Sequence, residues 1–244
     1  MNLSHKILLL YTPNGTGEAV FSPLNLAPLH WWDFSDATNY TLVSGAYSQV
    51  NDKSVNSNHL VQATSGKRPT QTTHNGLNCA SFDGTNDNMT LTTATAITGA
   101  MQYYIVLRYN GTPTSNAINS CYFGGTGNTK VGRLGTSTTG KILHRLVNAG
   151  TGDTGVDMGY NVNQTVIVSG GRNVSNSEFY KVNSGSEVNL PAETGTIGID
   201  TIGQGDTNEE HMNGLICEVV LFNTKLVAGD HLSMVNYLST KWIA

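Results

Sequence analysis

Oxygen ligands come closest to a chemical pattern in this chain. Asp83, Asp87 and Asn88 in the run DGTNDN, with Asp52 and Asn58 upstream, offer the carboxylate and amide oxygens that calcium accepts in irregular loops. The same side chains serve equally well as Asx-turn acceptors that bond their own backbone. Tyr122, Tyr160 and Tyr180 stand beside Gly- and Asn-rich stretches, where an exposed ring can stack on a pyranose face; sheet packing is the alternative for each. The histidines are scattered without ligand spacing, and no Gly-x-Ser-x-Gly elbow, His-Glu-x-x-His pair or phosphate loop is present. Cys79, Cys121 and Cys217 are odd in number and widely spaced, which fits neither a disulfide framework nor a zinc site. Cys79 and Cys217 fall in apolar runs and are expected to be buried thiols, kept reduced in the cytoplasm where the chain is made.

The elements that must position these residues are short strands. The chain has 244 residues, of which only 12% are charged; polarity comes instead from 30 Thr, 26 Asn and 19 Ser, with 27 Gly. Thr suits a pleated, half-exposed strand, and Asn, Gly and Ser suit tight turns. Period-2 alternation puts Tyr103, Ile105, Leu107 and Tyr109 on one face of a strand, and in the run 215–222 it puts Ile216, Glu218, Val220 and Phe222 together. Glu218 among such neighbours must find hydrogen-bond donors or stay protonated. Asn-Gly at Asn75, Asn110 and Asn213, and Asp83-Gly84, mark turns. Leu232, Val235, Leu238 and Trp242 recur at helical steps and predict one amphipathic helix near 229–241, laid over an edge or the bottom of the core.

The first residues read as a unit of their own. Lys6, Ile7, Leu8, Leu9, Leu10 and Tyr11 can form a strand, and the Pro-Asn-Gly-Thr-Gly run at 13–17 is a hinge. This divides the chain into an arm at 1–22, able to pair with a neighbour's edge, and one body at 23–244. The alternative is that these residues form the body's first strand. Trp31 and Trp32 alternate, predicting one ring in the core and the other under the arm. The opening apolar run is too short for a secretory leader core or a membrane span. Net charge is −4 with no Lys/Arg cluster, so nucleic acid is not an expected partner.

Three segments resemble the concanavalin A-like lectin/glucanase superfamily in its LamG-like form, common in phage structural proteins. They are SPLNLAPLHWWDFSD at 22–36, NDKSVNSNHL…CASFDGTNDNMTL at 51–91, and NGLICEVVLFNTKL…VNYLSTKW at 213–242. The chain departs from the pattern at Val50, Val55 and the uncapped helix start at 227–229. The resemblance implies an all-β, two-sheet antiparallel jelly-roll sandwich with one short C-terminal helix. Glucanases of the superfamily carry Glu-x-Asp-x-x-Glu on a strand, and no Glu-x-Asp occurs here; the Gln-x-His and Arg-x-Glu-x-Arg strings of jelly-roll lyases are missing too. The expectation is a non-enzyme: a bacteriophage capsid-decoration, head-fibre or tail-associated protein at the virion surface, homo-oligomeric, joined to other virion proteins through Lys6–Tyr11. Host or environmental glycans are its candidate ligands. No cofactor is required, and calcium is the one candidate cation. A free-standing lectin or adhesin module is the rival reading, and a glycan-cleaving enzyme the third.

Overall fold

The computed structural model describes residues 20–110, 123–124, 130–136, 142–148, 156–157, 163–192, 194–205 and 211–243. The first strands are β1 (His30–Asp33), β2 (Tyr40–Val43), β3 (Ala46–Val50), β4 (Leu60–Val61), β5 (Thr70–His74), β6 (Leu77–Asp83), β7 (Met89–Ile97) and β8 (Met101–Tyr109). They are followed by β9 (Phe123–Gly124), β10 (Lys130–Thr136), β11 (Ile142–Asn148), β12 (Val156–Asp157), β13 (Val166–Arg172), β14 (Ser177–Val182), β15 (Val188–Ala192), β16 (Ile197–Ile202) and β17 (Asn213–Phe222). The α-helix α1 (Ala228–Trp242) comes last.

Spatial order differs from chain order. β17 has β8 along one side, and on the other it meets β6 over 213–216 and then β1 over 218–221. From β8 the ladder continues through β13 and β14 to β15, and from β6 to β5. A second run, β2–β3–β4–β7–β16, carries β9 and β10 on β16 and extends to β11 and β12. The Ala46–Thr70 pair of β3 and β5 joins the two runs into one curled, mostly antiparallel sheet.

Side-chain alternation divides the apolar residues between the two faces of this sheet. Tyr103, Ile105, Leu107 and Tyr109 share the inner face of β8, as their spacing predicts, with Trp32, Phe82, Val219 and Leu221. Tyr104 and Val106 turn outward and join Trp31, Cys79, Cys217, Val220 and Phe222 beneath the helix. Both thiols are buried and free, as expected. Full burial of side chains of this size stabilises by about 1.5–3 kcal/mol each, which is why a strand covered on both faces reads as a continuous apolar run.

Several expectations are corrected by this packing. A bulge in β17 moves the register against β8 between Ile216 and Glu218, so Ile216 faces the inner cluster while Val220 and Phe222 face the outer one. Periodicity assumes an unbroken pleat, and one extra residue reverses every face beyond it. The buried stripe of α1 is Met234, Val235, Leu238 and Trp242, with Leu232 left 56% exposed. The helix covers the outer face of the central strands, not an edge, and it covers Trp31, so both tryptophans are core residues. Asn75 and Gly76 do form a hairpin turn, at φ 49° and 79°. Asn213-Gly214 instead opens β17, where a Cβ on Gly214 would strike the carbonyl of Arg108.

Arg172 has no sequence signal, yet it ties the two runs together. Fully buried, it donates from Nε to Gly99 O (2.8 Å), from Nη1 to Gly195 O (2.7 Å) and from Nη2 to Ile97 O (3.1 Å). A guanidinium can satisfy three carbonyls at once because its donors fan out in a rigid plane.

Candidate functional site

Asp52 lies in the turn after β3, and protein donors occupy both of its oxygens. Oδ1 accepts the backbone N–H of Trp31 and of Ser54, each at 2.9 Å. Oδ2 accepts the Ser54 hydroxyl (2.9 Å), the Asn58 N–H (3.1 Å) and His30 Nδ1 (2.9 Å). Burial works to raise this pKa, but His30 and the backbone donors outweigh it and hold Asp52 below the ordinary carboxylate value. Asn58 is equally committed: Oδ1 accepts from the Thr92 hydroxyl and Thr93 N–H, both at 2.9 Å, and Nδ2 donates to Thr93 O at 2.7 Å.

His30 Nε2 in turn lies 2.8 Å from Thr95 Oγ1. Carboxylate, imidazole and hydroxyl in series are the order of an activated nucleophile, and sequence reading gave no sign of it. Here the series is closed in. His30 is 3% and Thr95 9% exposed, the imidazole stacks on Trp32 with centroids 5.0 Å apart, and Asn58 Nδ2 also reaches Thr95 Oγ1 at 3.3 Å. The three side chains hold β1, the 52–58 turn and β7 together.

The second group of proposed ligands forms a separate turn. Asp83 Oδ1 accepts the N–H groups of Thr85 (2.8 Å), Asn86 (3.2 Å) and Asp87 (3.4 Å), while Asp87 Oδ2 accepts the Asp83 N–H at 3.0 Å. Burial and the neighbouring Asp83 charge push Asp87 up to about 6. Asn88 is taken up by Gln204 Oε1 (2.6 Å) and Gln62 Nε2 (2.5 Å). The structure therefore ties Asp52 and Asn58 to one set of neighbours and Asp83, Asp87 and Asn88 to another. Among the described residues no group of three or more His, Cys, Asp and Glu could hold a metal ion.

Glu218 finds its donors. Oε1 accepts Trp31 Nε1 (2.8 Å) and the Tyr237 hydroxyl (2.9 Å); Oε2 accepts Trp242 Nε1 (2.7 Å) and Lys241 Nζ (2.7 Å). The Lys241 ammonium also pairs with Asp33 at 2.8 Å, and Lys53 pairs with Asp36 at 2.8 Å and Asp33 at 3.4 Å. Burial works to raise the Asp33 pKa, but Lys241 and Lys53 overcome it and hold the group low.

An open cleft lies elsewhere, between the β14–β15 hairpin and the start of α1. It encloses about 470 Å³ and is lined by Gln102, Lys181, Ser184, Glu187, Lys225 and His231, with Leu226, Ala228, Leu232 and Val235 as the apolar wall. That volume falls in the ~300–1,000 Å³ range of small-ligand sites. Lys225 pairs with Glu187 at 2.7 Å and lies over the Phe179 ring at 4.0 Å. Gln102 Oε1 accepts the Leu226 N–H at 2.9 Å, so its amide nitrogen faces the Tyr104 hydroxyl (3.0 Å) and His231 Nδ1 (3.3 Å). The Tyr104 hydroxyl lies 2.7 Å from the same Nδ1. With an amide N–H also directed at it, Nδ1 is the acceptor, and the ring proton belongs on Nε2. Burial and then the Lys181 charge lower His231 to about 4, so the ring is neutral at physiological pH.

No family model matches the chain, and no curated protein matches it in sequence. Solved structures do match. Trypanosoma rangeli sialidase in complex with sialic acid superposes with a TM-score of 0.59 at 11% identity, over 96% of this chain and 36% of the sialidase. The botulinum neurotoxin type G receptor binding domain gives 0.57 at 9%, over 86% of this chain and 51% of its own. The serotype D binding domain gives 0.58 at 13%, over 88% and 53%. The likeness is one of fold, an all-β lectin-like architecture, and the chain spans only about a third to a half of these proteins. No helix among the described residues is long and apolar enough to cross a membrane.

Of the proposed sugar-stacking rings, Tyr180 is 4% exposed and packs in the inner cluster, so it cannot stack on a sugar; its neighbour Lys181 lines the cleft. Alternation along β14 separates the two. Tyr122, Tyr160 and the docking run Lys6–Tyr11 lie outside the described residues. The cleft residues carried no joint sequence signal, because the hairpin, the 225–226 loop and the helix converge only in the fold.

Proposed function

We propose that this chain is a bacteriophage virion structural protein, a capsid-decoration, head-fibre or tail-associated component. It is a concanavalin A-like, two-sheet jelly-roll sandwich of the LamG-like kind, displayed outward as a homo-oligomer. Its N-terminal arm docks on other virion proteins, and its cleft grips host or environmental glycans without cleaving them. The observation that carries the gripping role is a contrast: Asp33 and Glu218 close around Lys241 inside the fold, while the open cleft presents hydrogen-bond donors beside an apolar wall. The virion setting rests on the resemblance of residues 22–36, 51–91 and 213–242 to phage structural domains.

Co-sedimentation with phage particles, comparing the full chain with one lacking residues 1–17, tests the docking role. Loss of attachment by a still-folded domain supports it, and retained attachment overturns it. A glycan array with and without EDTA tests the grip. Binding by a protein that never joins particles makes it a free-standing lectin, and no binding in either condition removes the glycan role.

A further inference from the structure

The cleft beside α1 is asymmetric in charge and fixed in its donors. Glu187 neutralises Lys225 at 2.7 Å, whereas the Lys181 ammonium has no hydrogen-bond or ion-pair partner among the described residues. One ammonium is therefore left for a ligand. His231 adds a second donor, Nε2–H, held in that tautomer by the Tyr104 hydroxyl at 2.7 Å and the Gln102 amide at 3.3 Å. Tyr104 is fully buried and Gln102 is 2% exposed, so this support is part of the core and does not move with the surface. The Ser184 hydroxyl lies on the hairpin side of the same cleft, and Leu226, Leu232 and Val235 supply an apolar surface of the kind the C–H face of a sugar ring covers. The helix start at Ala228 has no side-chain cap, and Asp230 in the first turn already meets the positive end of the helix.

We propose that this cleft binds a sugar residue bearing a carboxylate, with the acid group held by Lys181 and His231 Nε2–H, Ser184 contacting a ring hydroxyl, and the ring face lying on Leu226 and Leu232. The inference rests on the glycan-gripping reading above and names the ligand class for it. A neutral sugar would leave the Lys181 ammonium without a partner, while a simple carboxylate would leave the apolar wall uncovered; only a group with both features uses the whole cleft.

Amide and imidazole NMR titrations of the full-length protein with methyl β-glucuronide, methyl β-glucoside and acetate separate these contributions. The α-methyl glycoside of N-acetylneuraminic acid serves as a second acid arm, distinguishing a uronate from a nonulosonate. The expected result is saturable shifts at Lys181, Ser184 and His231 with at least one acidic glycoside, binding at least tenfold weaker for the neutral glycoside and acetate, and loss of binding in Lys181→Met. Lys181 is half-buried and unpaired, so this variant keeps the fold, and Lys181→Arg restores binding. Equal binding of the neutral glycoside, unchanged by Lys181→Met, overturns the acidic-ligand inference and leaves the glycan grip standing. No shift with any sugar overturns both.

Discussion

Asp33 and Glu218 are register partners across β1 and β17, and one ammonium, Lys241 Nζ, lies 2.8 Å from the first carboxylate and 2.7 Å from the second. Facing acids are the usual sign of glycosidic hydrolysis, in which one must hold a proton and the other attack or activate water. Here a cation supplied by the last turn of α1 lies between them and pairs with both. The pair is a clamp that fastens the helix to the sheet, with Trp31, Trp242 and Tyr237 donating to Glu218 and the Ser35 N–H and hydroxyl donating to Asp33.

Replacing Lys241 by Met takes from Glu218 the cation that pairs with it and leaves Asp33 with Lys53 alone, at 3.4 Å. Breaking a buried pair in this way costs about 3–5 kcal/mol, so the urea midpoint of Lys241→Met falls sharply at pH 7. A loss below about 1 kcal/mol would rank the clamp with ordinary surface ion pairs. The pH profile follows in sign. The Asp33 pKa is lowered in the fold, so its contribution is present above the unfolded value of 3.8 and disappears as pH falls through the folded value. The Lys241 pKa is raised, so its contribution is present below 10.5 and is lost as pH climbs through the folded value. Both flanks flatten in the variant.

Asp87 has the opposite sign from Asp33. Its folded pKa of about 6 lies above the ordinary carboxylate value of 3.8, so it favours the fold at pH 3.8 and below, and that contribution is lost as pH rises through 6. Asp87→Asn keeps an oxygen for the Asp83 N–H and removes the charge. Thermal melts are expected to show a higher Tm for the variant at pH 7.5 and convergence with the parent near pH 4. A variant that is less stable at pH 7.5 contradicts this.

The His231 tautomer is directly measurable. Long-range ¹⁵N–¹H correlation spectra of the parent are expected to show a neutral ring protonated on Nε2 down to pH 5, because Tyr104 and Gln102 both donate toward Nδ1. Tyr104→Phe removes the shorter of these bonds and brings the Nδ1–H tautomer into the spectrum. An unchanged ring in that variant shows that the buried hydroxyl does not set the tautomer.

Asp52 already takes five donors, which leaves its oxygens no vacancy for a cation. Adding calcium or EDTA is accordingly expected to leave the amide signals of Trp31 and Ser54 unmoved, and a calcium-dependent shift there would contradict the assignment. Asp52→Ala strands several buried donors at ~1–3 kcal/mol each, so a loss of at least about 3 kcal/mol is expected.

What could be read from the residues alone follows a physical boundary. Local periodicity was legible: the inner face of β8, the Asn75-Gly76 hairpin and the presence of a C-terminal helix all depend on neighbours a few positions apart. The demand that Glu218 find donors was legible too, because burying a carboxylate carries that requirement wherever it occurs. The identity of the donors was not, since Trp31 is 187 positions away. Ile216 was misplaced because a bulge leaves no mark on an alternating pattern, and Leu232 because a helical stripe is selected by the surface it meets. The oxygens that make Asp52 and Asn58 candidate ligands are in use, but by backbone, hydroxyl and histidine donors. The cleft was illegible for the same reason as the Glu218 network: Gln102, Lys181, Lys225 and His231 come from four separate segments.

Retention on immobilised polysaccharides, followed by analysis of what is released, tests the central claim most directly. Saturable retention of the intact protein is expected on alginate, lost in Lys181→Met, with much weaker retention on neutral β-glucan, and with no new reducing ends and no unsaturated products from either after prolonged incubation. Products that form with the parent and vanish in Asp33→Asn or Glu218→Gln would show that the facing acids react after all, and the account would be wrong.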